Sequence, residues 1–202
     1  MSGVRSLTFA AAACAAFAGM AGGCASSTPL RYYTLSTSQP AARLSAPAGM
    51  VPMRLDRVTI PTELDRSQLV RRLDSTRLQI MEEDRWAAPL DDMIHRVLSQ
   101  DLAERLPPGT VADPNEPALG EKRQSLAVDV IELYGDAGCA VSLRAAWVLK
   151  RPDSASTRGS EQIRIPPGSC AGAASLPAAM SEALARLSDR LAGVVAQGAD
   201  AH

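Results

Sequence analysis

Cys139-Ala140-Val141-Ser142-Leu143-Arg144-Ala145-Ala146-Trp147-Val148-Leu149-Lys150 carries the cleanest two-residue alternation in this chain of 202 residues. Cys139, Val141, Leu143, Ala145, Trp147 and Leu149 fall on one face, Ser142, Arg144 and Lys150 on the other. Successive side chains of a β-strand point to opposite faces, so the pattern predicts a strand with one face in a core and one towards solvent. Arg158 to Ile165, ended by Pro166-Pro167-Gly168, reads as its antiparallel neighbour. Upstream, Leu126, Val128 and Val130 alternate before Ile131 and Leu133 take the opposite parity. A bulge or burial on both faces accounts for the switch, and Gly135-Asp136-Ala137-Gly138 reads as the turn between the two strands.

Further strands are predicted at Arg31 to Leu35 and Met53 to Ile60, with a hairpin formed by Gln68 to Leu73 and Arg77 to Met81. In the second arm of that hairpin Leu78 and Ile80 share a face, which predicts half burial. Ser36 to Pro52, rich in Ser, Ala and Pro, reads as a linker or long surface loop. Two helices complete the set. Leu90, Ile94, Val97, Leu98 and Leu102 form one apolar stripe after Pro89, with Asp91 and Asp92 in the first turn, where the helix dipole favours negative charge. Met180, Leu184, Leu187, Leu191 and Val194 form a second stripe, with Ser175 as expected N-cap and Pro177 in the first turn. Strands in runs with two separated helices predict an α+β fold, an antiparallel sheet with two main helices packed on one face.

The first residues form a separate unit. Arg5 precedes an apolar run from Leu7 to Met20, and Ala21-Gly22-Gly23 precede Cys24. A basic start, a short apolar run and small residues make a secretion signal rather than a membrane span, which needs about 20 apolar residues. Cys24 is therefore expected to be the lipidated first residue of the mature chain; an ordinary signal peptide with an unmodified Cys24, or a buried N-terminal helix, is the alternative. The expected organisation is a signal peptide at 1–23, a lipidated tether at 24–30, a single α+β domain at 31–197 and a frayed end at 198–202. Ala25, not Asp, follows the cysteine. By resemblance to bacterial lipoproteins this implies an outer-membrane destination facing the periplasm.

With Cys14 removed and Cys24 lipidated, Cys139 and Cys170 remain. An even pair in an oxidising compartment suggests a Cys139–Cys170 disulfide, with two buried free thiols as the alternative. The formal net charge of −1 leaves no electrostatic footprint for nucleic acid. His95, read as solvent-facing, and the terminal His202 are the only histidines, and no nucleophile–base set, HExxH, CxxC or phosphate-cradling loop is visible. These absences argue against an enzyme, a metal site and a bound cofactor.

Three segments together carry a family resemblance: Tyr32-Tyr33-Thr34-Leu35, then Ile60-Pro61-Thr62-Glu63-Leu64-Asp65-Arg66-Ser67-Gln68-Leu69-Val70, then Asp84-Arg85-Trp86-Ala87-Ala88-Pro89-Leu90. In these the chain resembles the ABC-type transport auxiliary lipoproteins. That family often has an aromatic residue just before the Leu-Asp-Arg and a proline just after it; Glu63 and Ser67 stand there here. The resemblance implies a non-catalytic subunit of an envelope lipid transport system. Its partners would be an MCE protein, which spans the periplasm, and that protein's inner-membrane permease and ATPase, with the lipoprotein docking the assembly at the outer membrane. Self-association into a homo-oligomer is left open. Two other functions share the same address: an assembly or plug lipoprotein for an outer-membrane β-barrel, and a module that carries the hydrophobic ligand itself. Arg66, Gln68, Arg85 and Trp86 are the candidate partner interface, since Arg and Trp are enriched at interface hot spots. The other reading makes Trp86 a core plug at the helix entry and Asp65-Arg66 a local turn.

Overall fold

The computed structural model describes residues 28–40, 42–45, 50–112, 123–152, 154–168 and 173–197. The expected signal peptide, Cys24, Cys170 and the C-terminal residues 198–202 lie outside them. In chain order the elements are β1 (Arg31–Tyr33), β2 (Met53–Thr59), β3 (Gln68–Arg72), β4 (Leu78–Trp86), α1 (Leu90–Arg105), β5 (Gln124–Gly135), β6 (Val141–Arg151), β7 (Ser154–Ile165) and α2 (Ser175–Gln197). The class is α+β as expected.

The seven strands form one sheet in the order β1-β4-β3-β5-β6-β7, with β2 also paired to β5. The alternating run at Leu143 becomes β6, antiparallel both to β5, through Leu133 opposite Leu143, and to β7, through Ile163 opposite Leu143. The register of β5 against β6 shifts between Val130 and Glu132, so Ile131 is the extra residue of a bulge and the parity switch has its cause.

The sheet is mixed rather than wholly antiparallel. β1 runs parallel to β4, and β2 and β3 run parallel to β5. Period-two alternation is the same in either direction, so the sequence pattern carries no sign of strand direction. Parallel neighbours need a long crossover, usually helical, and α1 supplies it between β2 and β5.

Both helices pack on one face, α1 over β2 and α2 over β5, β6 and β7, and against each other. The α1 stripe is buried as expected, and Met93 joins it. In α2, Met180, Leu184, Leu187 and Leu191 are buried, while Val195 rather than Val194 is the fully buried residue of the last turn. Two glycines mark close approaches. A β-carbon on Gly135 would fall 2.3 Å from Leu176 Cδ1, and one on Gly159 would fall 2.4 Å from Trp147 Cζ2. The end of β5 thus admits the start of α2, and the Trp147 ring lies across β7.

The expected half burial of the second hairpin arm does not occur. Leu78 and Ile80 are each 40% exposed. The helices cover β2 and β5–β7, and β5 meets β3 only at Arg71 opposite Gly135. The hairpin tip therefore projects past its last sheet neighbour, and alternation there reports the pleat without a core to bury it.

The segment after β1 is tied to the helix pair by a buried charge cluster. Asp101 and Ser188 are fully buried and Arg105 nearly so. Arg105 donates from Nη1 to the Ser38 carbonyl at 3.0 Å, from Nη2 to the Ala185 carbonyl at 3.1 Å and from Nε to Asp189 Oδ1 at 2.5 Å. Asp101 Oδ1 accepts from the Ser38 amide at 2.9 Å, and the Leu44 amide donates to the Arg105 carbonyl at 2.7 Å. Burial pushes the Asp101 carboxyl above its ordinary range, opposed by the Ser38 amide and Arg105. Part of the expected loop is thus strapped along α1. Arg105→Met leaves Asp101 buried without its counter-charge, and a loss of about 3 kcal/mol is expected in urea unfolding.

Candidate docking site

The three segments that carry the family resemblance meet at one corner of the sheet. β1 pairs with the end of β4 in the register Arg31 to Asp84, Tyr32 to Arg85 and Tyr33 to Trp86. β3 begins opposite the same stretch, with Gln68 across from Arg85. From Gln68–Arg85 to Leu69–Met81 the β4 strand takes three extra residues, Glu82 to Asp84. The corner is closed by backbone bonds: the Trp86 amide donates to the Ser67 carbonyl at 2.7 Å, and the Ala87 amide to the Tyr33 carbonyl at 2.8 Å.

Asp84 clamps it. Its carboxylate is buried and accepts from Arg31 Nε at 2.7 Å, Arg31 Nη2 at 3.0 Å and the Tyr33 hydroxyl at 3.0 Å. The hydrogen bond from Arg31 holds the Asp84 carboxyl below its usual range, with Tyr33 contributing against the opposing effect of burial. The Tyr33 hydroxyl is raised by burial and by Asp84. Arg31, Tyr33 and Asp84 were not among the expected interface residues, although Tyr33 and Asp84 lie in the family-like segments. Arg31 and Tyr33 stand 53 and 51 positions from Asp84, and only the β1–β4 register brings them together.

A second cluster lies on the helix-free face. Tyr134, on β5 after the bulge, donates to Glu63 Oε1 at 2.8 Å, and the Arg72 guanidinium sits 4.1 Å above its ring. Arg72 also donates to Glu132 Oε1 at 2.5 Å. Burial and the Glu63 carboxylate push the Tyr134 hydroxyl up to about 12. The Glu63 carboxyl is lowered by its own backbone N–H and by Tyr134. Glu63, where the family often has an aromatic residue, therefore fastens the turn before β3 to β5 through a hydrogen bond. Ser67, in the family's proline position, supplies a hydroxyl 3.4 Å from Arg85 Nη1 and 3.3 Å from Gln68 Oε1.

Of the expected interface residues, Arg66 is exposed in the turn before β3, and Gln68 and Arg85 are half-buried cross-strand partners. Arg85 Nε has no hydrogen-bond partner among the described residues. Trp86 is only 5% exposed and belongs to the core cluster, so its position is that of the plug at the helix entry.

A solvent-open groove of about 460 Å³ runs between β2 and the start of α1, lined by Asp56, Asp65, Asp91, Asp92 and His95 among others. His95 is half-buried rather than solvent-facing, with Nε2 3.0 Å from the Leu55 carbonyl oxygen at the free edge of β2. Cys139 takes a positive φ of 64° in the β5–β6 turn and is disulfide-bonded. Among the described residues no helix is long and apolar enough to cross a membrane.

The model of the ABC-type transport auxiliary lipoprotein component family matches residues 33–192, and the chain belongs to that family. It is 29% identical over 118 residues to the intermembrane transport lipoprotein PqiC of Escherichia coli K12, and equally to that of Shigella flexneri. Each of these matches spans 58% of this chain and 62% of the relative. Among solved structures, an uncharacterized protein superposes with a TM-score of 0.69 at 20% identity, covering 83% of this chain and 99% of that one. Protein XCC0632 of Xanthomonas campestris superposes at 0.62 and 19% identity, covering 85% and 100%. These two likenesses establish the fold.

Asp84→Asn removes a buried carboxylate from three donors, and a loss of about 2 kcal/mol at neutral pH is expected. The folded-state value of Asp84 is depressed. Its contribution is therefore present above the unfolded value of about 3.9 and disappears as pH falls through the folded one. Chemical unfolding of both proteins across acid pH should show the difference closing below about pH 4.

Proposed function

We propose that this protein is a non-catalytic outer-membrane lipoprotein subunit of an MCE/ABC-type envelope lipid transport system. In this reading it docks the periplasm-spanning MCE component at the outer membrane. Family membership across residues 33–192 carries the proposal, together with the convergence of the family-like segments on one accessible corner. There Arg66 is exposed, and Gln68 and Arg85 are half-buried. Trp86 supports the corner from beneath. The mature chain begins at a lipidated Cys24 and faces the periplasm, and Cys139 bridges Cys170 there. The MCE protein's inner-membrane permease and ATPase complete the assembly.

Affinity capture of tagged protein from crosslinked cell envelopes tests this reading. Wild type should recover an MCE protein, with much less from Cys24→Ala and from the double variant Arg66→Ala, Arg85→Ala. Recovery of an outer-membrane β-barrel in its place would favour an assembly role. The bridge has its own check: peptide mapping without reductant should yield a linked Cys139–Cys170 peptide. Cys139→Ser should cost about 4 kcal/mol, as expected for a loop of this length.

A further inference from the structure

Exposed apolar side chains gather at one flank of the sheet. Of the seven large ones among the described residues, five lie on β1 and the residue before it or on the β3–β4 hairpin: Leu30, Tyr32, Leu73, Leu78 and Ile80. Leu78 and Ile80 stand opposite Arg72 and Val70. Arg72 covers Tyr134, whose strand neighbour Leu133 faces the core, so Leu78 and Ile80 belong to the helix-free face. Single exposed leucines are ordinary, whereas a contiguous apolar group marks a contact surface.

The direction of β1 says what this surface meets. β1 is parallel to β4 and covers only Asp84 to Trp86. Among the described residues, Leu78 to Glu83 carry no strand on that flank. Going back from Arg31, the chain thus comes in from the side of the hairpin tip. Cys24 precedes Arg31 by seven residues, which span at most about 24 Å at roughly 3.4 Å each. Leu78 lies six residues before Asp84 along β4, at most about 20 Å at strand rise and less across the irregular stretch Glu82 to Asp84. The tip is therefore within the radius that the chain to Cys24 allows.

We propose that the hairpin tip, with Leu73, Leu78 and Ile80, rests in the headgroup–acyl boundary of the bilayer that holds the Cys24 lipid. The inference rests on the lipid-anchor reading above and adds a second point of contact that fixes the domain's orientation. Arg77 at the tip, which pairs with Asp74, has an aliphatic stem that can lie on the apolar side while its guanidinium stays in water. A tethered surface binds at high effective concentration, so a contact too weak to hold the free domain suffices.

The test uses full-length lipidated protein in vesicles of phosphatidylethanolamine and phosphatidylglycerol. An environment-sensitive NBD label is placed by Leu78→Cys or, as control, by Ser156→Cys on the exposed outer strand. Flotation with the vesicles reads the anchor; fluorescence and iodide quenching read the tip. The expected result is co-flotation of both proteins, with a several-fold rise in emission and protection from iodide at position 78 alone. Adding Ile80→Asp and Leu73→Asp should abolish that protection while flotation and thermal melting stay unchanged. Flotation with an unprotected label at position 78 overturns the tip contact and leaves the anchor standing. Failure to float removes the anchor and the inference together. A concentration-dependent change at position 78 without vesicles assigns the surface to a second copy of the chain and overturns the proposal.

Discussion

β5 carries the architecture because its two flanks are used differently. On one side β6 follows it along most of its length; on the other, β2 lies beside the first half and β3 touches only the end. The gap between β2 and β3 is the length of the Ile60 to Ser67 turn, which leaves the sheet line and returns. Tyr134 stands beside that turn, and its bond to Glu63 fixes where the chain re-enters. The bulge at Ile131 places the Tyr134 hydroxyl on the helix-free face while Leu133 stays in the core. One extra residue in β5 thus sets the position of the hairpin that forms the candidate docking corner.

The corner is stiff for a second reason. Arg31, Tyr33 and Asp84 satisfy one another at the junction of β1 and β4, while Trp86 fills the space beneath, next to the start of α1. A buried carboxylate is tolerable only when its oxygens are paired, and here an arginine and a tyrosine do that. The exposed Arg66 and half-buried Gln68 are consequently presented by fixed backbone rather than by a loose loop, which limits the ordering entropy a partner must supply.

Element positions were legible wherever periodicity met a core. β5, β6 and both helix stripes follow from apolar spacing because the helices lie over those residues, whereas β7, placed only as the neighbour of β6, begins earlier than expected, at Ser154. Strand direction was not legible, since pleat alternation is blind to it, and so the parallel pairs of β1, β2 and β3 emerged only from the structure. Burial was misread at Leu78 and Ile80 because alternation states which residues share a face and not whether anything covers that face. Of the site, Arg66, Gln68 and Arg85 were visible as a charged and polar stretch beside a family motif. The Asp84 clamp was not visible, because its members belong together only through long-range register. Trp86 had two readings in the sequence, and its 5% exposure makes it a packing residue.

The parallel orientation of β1 has a mechanical meaning. A pull along the strand axis on the residues before Arg31 is directed along β4 rather than away from the sheet. The β1–β4 hydrogen bonds and the Arg31–Asp84 pair then take the strain together as a sheared joint. A pull at right angles to the strand would instead peel the same bonds one at a time. A load along the strand is thus shared at the point where the chain enters the fold, and a load across it is not.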